Sequence, residues 1–365
     1  MDWTGWIESR GEPTVLALCG VLVGLGFGFF AQRSRFCLRA AVIEFWHGKF
    51  GDKLAVWLLA FATAVVGVQL LVVSGGLDVS TARQLSAQGS LSGALLGGLI
   101  FGVGMVMTRG CASRLLVLSA NGNLRALLSG LIFAVTAQAA LSGALSPLRT
   151  HISSWWTVEG GAPRDLLALT GMNHWAGLAM GGIWLAAALF FALRSPQRNV
   201  WMWLGGIGTG LSVAGAWGFS QWVAAESFDP VQIQGLTFSG PSAEWLMRVM
   251  HWPAPAVGFD FGLMPGVFVG SLIGALLGRD WKLEGFSDGY SMRRYIGGAI
   301  LMGFGSMLAG GCAVGAGVTG GAIFALTAWL SLVGMWTGAG LTDRWLDGGA
   351  SAKPNVLPAA GLKHP

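Results

Sequence analysis

Three long apolar stretches of this 365-residue chain stop at a break, and a cysteine follows each break at once: Ser34-Arg35-Phe36-Cys37, Thr108-Arg109-Gly110-Cys111 and Ala309-Gly310-Gly311-Cys312. A bilayer accepts irregular backbone at depth only where it is buried in protein or lines a polar cavity. Three interrupted spans, each carrying a thiol, therefore imply that the breaks share one path through the protein. The bilayer itself follows from composition: 53% of residues are hydrophobic, 11% are charged, Gly numbers 59 and mean hydropathy is +0.62. Soluble domains are about one quarter charged, so this is a polytopic membrane protein with no room for a separate soluble domain. Eighteen Trp supply material for interfacial belts, and glycine lets helices approach closely.

A span takes about 17 to 25 largely apolar residues. Nine are expected, over 14–31, 54–74, 91–108, 126–146, 175–193, 200–225, 261–278, 295–309 and 321–341. The eighth is cut short by Gly310-Gly311, as half-helices of discontinuous spans are. Met1 to Pro13 carries Asp2, Glu8, Arg10 and Glu12 and lacks the basic region of a secretory signal, so the first span is expected to be retained. Basic residues stay on the cytoplasmic side. Placing the N-terminus outside puts 17 of the 22 Lys and Arg inside and 5 outside. The expected orientation is therefore N-terminus periplasmic and C-terminus cytoplasmic.

An internal repeat adds to this. Gly102 to Ala112 aligns without gaps on Gly303 to Ala313, with five identities at an offset of 201, and places Cys111 on Cys312. In the nine-span arrangement the two copies are followed by loops on opposite sides, which makes the repeat inverted. The expected architecture is all-α: nine transmembrane helices and four short dipping helices related by a pseudo-two-fold. Residues 1–150 form the first repeat, with dips at 32–46 and 109–119; 151–199 hold the connecting fifth span; 200–345 form the second repeat, with dips at 236–250 and 310–320; 346–365 are a cytoplasmic tail without periodicity. The fourth dip, Leu236 to Leu246, carries helix-start signals in Pro241, Ser242 and Glu244, and is expected to open at Ser242.

Helix starts offer unpaired N–H groups and a partial positive charge, so starts gathered near the midplane favour an anion that must also be released. Thiols are weak donors with a polarisable sulfur, poorly suited to a hard oxyanion and better suited to an anion with terminal sulfur or selenium. The candidate path residues are Cys37, Cys111 and Cys312, supported by Arg35, Arg109, Gly110, Ser239, Gly240, Gly310 and Gly311. Cys19, inside an apolar run, reads as a packing residue. Arg33, Arg35, Arg39, Arg109 and Arg114 fit two readings, a basic mouth that gathers anions and positive-inside determinants, of which the second is the simpler. Glu44 is expected to pair with a nearby arginine. The cysteines lack the spacing of a disulfide framework or a zinc cage, no histidine stands where catalysis needs one, and Gly310 to Gly321 lacks the Gly-Lys-Ser/Thr ending of a nucleotide-binding loop. No catalytic residue, metal or cofactor is expected.

Gln32 to Cys37, Thr108 to Cys111, Thr237 to Ser242 and Gly310 to Ala313 together resemble the YeeE/YedE family of bacterial inner-membrane transporters, over nearly the whole chain. The resemblance implies thiosulfate import through an hourglass whose dipping loops meet at the waist, the ion passing between the thiols at Cys37, Cys111 and Cys312. It also suggests a small cytoplasmic sulfur carrier of the TusA type as partner. Three alternatives stand beside thiosulfate import: transport of another sulfur or selenium anion, a membrane sulfurtransferase whose cysteine attacks the sulfane sulfur and keeps it as a persulfide, and a non-selective small-anion channel whose cysteines are incidental.

Overall fold

The computed structural model describes residues 10–195, 199–227, 231–250, 257–285 and 289–346. His251 and the tail beyond Leu346 lie outside the described residues. The principal helices are α1 Glu12–Ser34, α2 Leu38–Trp46, α3 Asp52–Val73, α4 Leu91–Met107, α5 Ala112–Ala120, α6 Leu124–Ser142, α7 Ser146–Ser153, α8 His174–Arg194, α9 Val200–Glu226, α10 Ser239–Met250, α11 Phe259–Gly278, α12 Gly289–Leu308 and α13 Leu326–Leu346. Among the described residues, seven helical segments are long and apolar enough to cross a bilayer, three of them running through a break into the short helix beyond it. The chain is thus a multi-pass membrane protein of the all-α class, with a short antiparallel ladder that pairs Gly89–Ser90 with Thr157–Val158. Helices α9 and α13 have spanning lengths of 27 and 21 residues but are less apolar than those seven.

Local chemistry sets the helix starts. Ser90, Asn123, Asn173 and Asn199 accept from backbone N–H groups in the first turns of α4, α6, α8 and α9, as N-cap side chains do. At α3 the cap comes from another helix: Glu44 of α2 accepts from the Leu54 N–H at 2.9 Å. Its carboxylate thus serves a helix start instead of the arginine expected from sequence. Three span boundaries also differ from expectation. The fourth helix ends at Ser142, ahead of a separate short helix that has Pro147 in its first turn. The eighth is already helical at Gly289, because Arg293 and Arg294 lower the hydropathy without interrupting the helix. The ninth begins at Leu326, after a turn at Phe324, which has φ 55°.

Two glycine seams hold the helices together. A Cβ on Gly20, Gly24 or Gly28 would fall 2.1 to 2.5 Å from the carbonyls of Phe259, Leu263 and Val267. Gly262, Gly266 and Gly270 of α11 are pressed in the same way against Ala17, Val21 and Leu25 of α1. The second seam joins α4 to α13, through Gly98 and Gly102 on one side and Gly334 and Gly338 on the other. Without a hydrophobic drive between helices in lipid, such close van der Waals contact is what binds them. Further packing pairs α1 with α9, α3 with α9 and α8, and α12 with α4 and α6. The succession long, short, long, long, short, long in α1–α6 recurs from α9 to α13, where a helical turn at Ala313–Thr319 takes the second short place.

Candidate functional site

One turn is built three times. Arg35, Arg109 and Gly310 adopt left-handed backbone, with φ of 55°, 59° and 79°. The next residue in each case donates its N–H five residues back: Phe36 to Ala31 O at 3.0 Å, Gly110 to Met105 O at 3.2 Å and Gly311 to Ser306 O at 2.9 Å. This is the Schellman way to end a helix. The cysteine comes next with extended backbone, and its carbonyl accepts from the residue four further on, at 3.2 Å for Cys37, 2.9 Å for Cys111 and 2.8 Å for Cys312. A helix ends, reverses and restarts within three residues, with the thiol at the new start. The fourth break is built differently. Residues 231–237 form no regular element, Phe238 lies at a bend, and α10 opens at Ser239, not at Ser242. Pro241 falls in the first turn, where its missing N–H costs nothing, and Ser242 Oγ donates back to Phe238 O at 2.6 Å.

The breaks form one cluster. Cys111 and Cys312 are buried, Cys37 is half-buried, and all four cysteines are free. Cys37 and Cys312 both lie within electrostatic reach of Cys111. The Phe27 ring bridges the first and fourth breaks, 6.2 Å from Phe36 and 5.1 Å from Phe238. Thr319 Oγ1 donates to Leu236 O at 2.6 Å and ties the third to the fourth. An Arg114 guanidinium nitrogen, 3.5 Å from Gln32 Oε1, links the second to the first. Thr108 Oγ1 donates to Gly104 O and Gly110 O, closing the second break from within. Cys111 Sγ lies 3.3 Å from Ser113 Oγ, whereas Cys312 Sγ accepts from the Gly315 N–H at 3.5 Å.

The predicted residues divide in two. Gly110, Gly311 and Ser239 are buried within the cluster and Gly240 is half-buried at its edge, whereas Gly310, Arg35 and Arg109 are exposed. Arg35 pairs with Asp280 at 3.6 Å. Both arginines therefore enter the turns through their backbones, while their charges face outward. Cys19 is buried in α1 at none of the breaks. The sequence assigns no site role to Gln32, Thr108 or Ser113, and places Arg114 only within a group of arginines read either as an anion-gathering mouth or as positive-inside determinants. The usable signal was that Arg114 stands in the first turn of a short helix, where a cation opposes the helix dipole.

Chemically, three helix starts and three thiols meet in segments poor in negative charge. None of residues 31–37, 104–114, 236–243 and 306–320 is acidic, so an anion meets no carboxylate there. Among the described residues no group of three or more His, Cys, Asp or Glu side chains is placed to hold a metal ion. Residues 33–341 match the family model described as sulphur transport. The chain is 25% identical over 345 residues to the thiosulfate transporter TsuA of Escherichia coli K12, covering 89% of this chain and 94% of that protein. It is 26% identical over 361 residues to the thiosulfate transporter TsuA of Spirochaeta thermophila, covering 89% and 98%. With the family model spanning most of its length, including all three broken segments, the chain belongs to the sulphur transport family, the YeeE/YedE group of membrane proteins.

Proposed function

We propose that this protein imports thiosulfate into the cytoplasm by passing the ion between Cys37, Cys111 and Cys312 at the waist of an hourglass. The observation that carries the reading is the thrice-built turn, which sets a thiol at a helix restart and brings Cys37 and Cys312 within electrostatic reach of Cys111. Helix starts stabilise the charge, and the thiols favour the soft terminal sulfur over the oxygens of sulfate. The names of the two relatives point to the same ion.

The architecture that serves this function is nine spans and four re-entrant helices in two inverted repeats, 1–150 and 200–345, joined by the fifth span. Helix packing supports it: α1 with α11 matches α3 with α9, α4 with α13 matches α6 with α12, and α1 with α9 and α4 with α12 are self-paired under the same exchange. The distribution of basic residues supports an inner-membrane protein with a periplasmic N-terminus. A TusA-like carrier is the proposed recipient on the cytoplasmic side.

The test is uptake of labelled thiosulfate by vesicles holding only this protein, comparing wild type with Cys37→Ala, Cys111→Ala, Cys312→Ala and, as control, Cys19→Ala. Uptake resistant to excess sulfate, abolished by each of the first three changes and retained by the fourth, is the expected result. Uptake indifferent to the path cysteines would overturn it. A persulfide found by mass spectrometry on a path cysteine after exposure to substrate would instead favour the sulfurtransferase.

A further inference from the structure

Arg114 is counted with the inside basic residues, yet unlike Arg35 and Arg109 its residue is not exposed. It is the third residue of α5, a nine-residue helix with no acidic residue in its first turn, so its guanidinium stands at the positive end of the helix dipole. Its stem packs over Gly110, placing the side chain back along the broken segment. The residue as a whole is half-buried, and the hydrogen bond of its guanidinium goes inward to Gln32 Oε1, a neutral acceptor at 3.5 Å. Its electrostatic neighbours are the Cys37 and Cys111 thiols, Arg35 and Asp280, and the Asp280 carboxylate is engaged by Arg35. Buried cations in membrane proteins are ordinarily matched by a counter-charge. Among the described residues no carboxylate is paired with this one.

We infer that Arg114 is the anion-holding residue of the thiol path, its N–H groups gripping the oxygen end of the substrate while Cys37 and Cys111 face the terminal sulfur. The division matches donor to acceptor: a planar, always-charged fork suits oxyanion oxygens, and a polarisable thiol suits sulfur. It rests on the transport reading above and assigns the residue that balances the ion's charge at the cluster. Gln32 then acts as a positioning residue, holding the guanidinium in place when the path is empty.

The experiment measures concentration-dependent thiosulfate uptake by vesicles holding wild type, Arg114→Gln, Arg114→Lys, Gln32→Glu or Cys111→Ala, with the size-exclusion profile of each protein checked. Arg114→Gln should raise KM by about tenfold or more, the scale of one lost charge-assisted hydrogen bond, with a smaller change in maximal rate. Arg114→Lys should recover part of the loss, since a point charge remains without the fork. Gln32→Glu leaves the arginine in place but gives it a carboxylate partner, so it should also raise KM, and it keeps the inference testable if Arg114→Gln fails to fold. Wild-type KM in folded Arg114→Gln or Gln32→Glu, with Cys111→Ala inactive, overturns the role of Arg114 and leaves the transport reading standing. No uptake by wild type, or uptake that ignores Cys111, overturns the transport reading instead.

Discussion

The segments Thr108–Ala120 and Ala309–Ala322 start from the same turn and end as different materials. At the repeat offset, Cys111 corresponds to Cys312, Ser113 to Val314 and Arg114 to Gly315. The first continues as a regular α-helix, half-exposed along one side, with a hydroxyl beside its thiol and a cation one residue further on. The second continues as a wide π-type turn in which both the Ala316 and Gly317 N–H groups reach Cys312 O, and every residue from 311 to 322 is buried. Repetition supplies the backbone geometry of the two thiols. Departure from the repeat supplies polarity, and it places the cation on one side of the cluster only.

Exchanging that difference gives the largest expected effect. A Cβ at Gly315 would lie 2.3 Å from Thr237 Oγ1 and 2.8 Å from Thr237 Cβ, so no side chain fits without moving the fourth break. Gly315→Arg adds an unpaired buried charge to that clash, a combination that costs about 3–5 kcal/mol or more. The expected outcome is loss of monodisperse protein from detergent extracts. Arg114→Gly, in contrast, loses about 1 kcal/mol of helix propensity at a half-exposed position and should still fold. A well-folded Gly315→Arg protein would mean that the two positions are interchangeable and that the asymmetry carries no function.

The shared turn can be probed more gently. The left-handed residue is Arg109 in one copy and Gly310 in the other. Left-handed backbone costs a residue with a Cβ about 1–2 kcal/mol, partly offset by the greater freedom that glycine loses on folding. Gly310→Ala should therefore destabilise by about 1 kcal/mol, and Arg109→Gly should stabilise by a similar amount, read as opposite shifts of thermal unfolding in detergent. Shifts of the same sign would break the equivalence of the two turns.

The same contrast bears on what can be read from a sequence. The breaks and the positions of the thiols are legible because they depend on hydropathy and on residue identity at fixed spacing. The use of Arg35 and Arg109 is not, since sequence offers their charge and the turn takes their backbone. Arg114 goes the other way: the sequence groups it with its neighbours, as an anion-gathering mouth or as topology determinants, and only the fold singles it out, with its side chain turned toward Gln32 and the thiols. Ser242 reads as the opening residue by type, but α10 starts three residues earlier, at Ser239, and the Ser242 hydroxyl turns back to Phe238 O. Each of these outcomes depends on which way a side chain points after the chain reverses, and that is decided by partners distant in sequence.

The smallest expected effect concerns the loops that follow the two segments. Past Cys111, residues 121–124 are pinned by 282–284: Leu124 N–H donates to Glu284 O at 3.0 Å, Glu284 N–H to Gly122 O at 3.1 Å and Asn123 Nδ2 to Glu284 Oε2 at 2.6 Å. Past Cys312, Leu166 N–H donates to Phe324 O at 3.0 Å, and buried Arg164 donates to Thr327 Oγ1 at 2.8 Å. Only the first clasp closes through a carboxylate. The hydrogen bond from Lys282, with help from that of Asn123, holds the Glu284 carboxyl below its ordinary value of 4.5. A carboxyl depressed in the folded state contributes stability that is present above its unfolded value and is lost as pH falls through the folded one. Acidification below about 4.5 should therefore speed amide exchange at 121–124, after correction for intrinsic rates, and leave 323–327 little changed. Glu284→Gln should produce part of the same local loosening at neutral pH, because the amide keeps a partner for Asn123 but removes the charge that Lys282 meets. If both loops respond alike to Glu284→Gln, the clasps are one cooperative unit, and the two segments differ in chemistry without differing in how they are held.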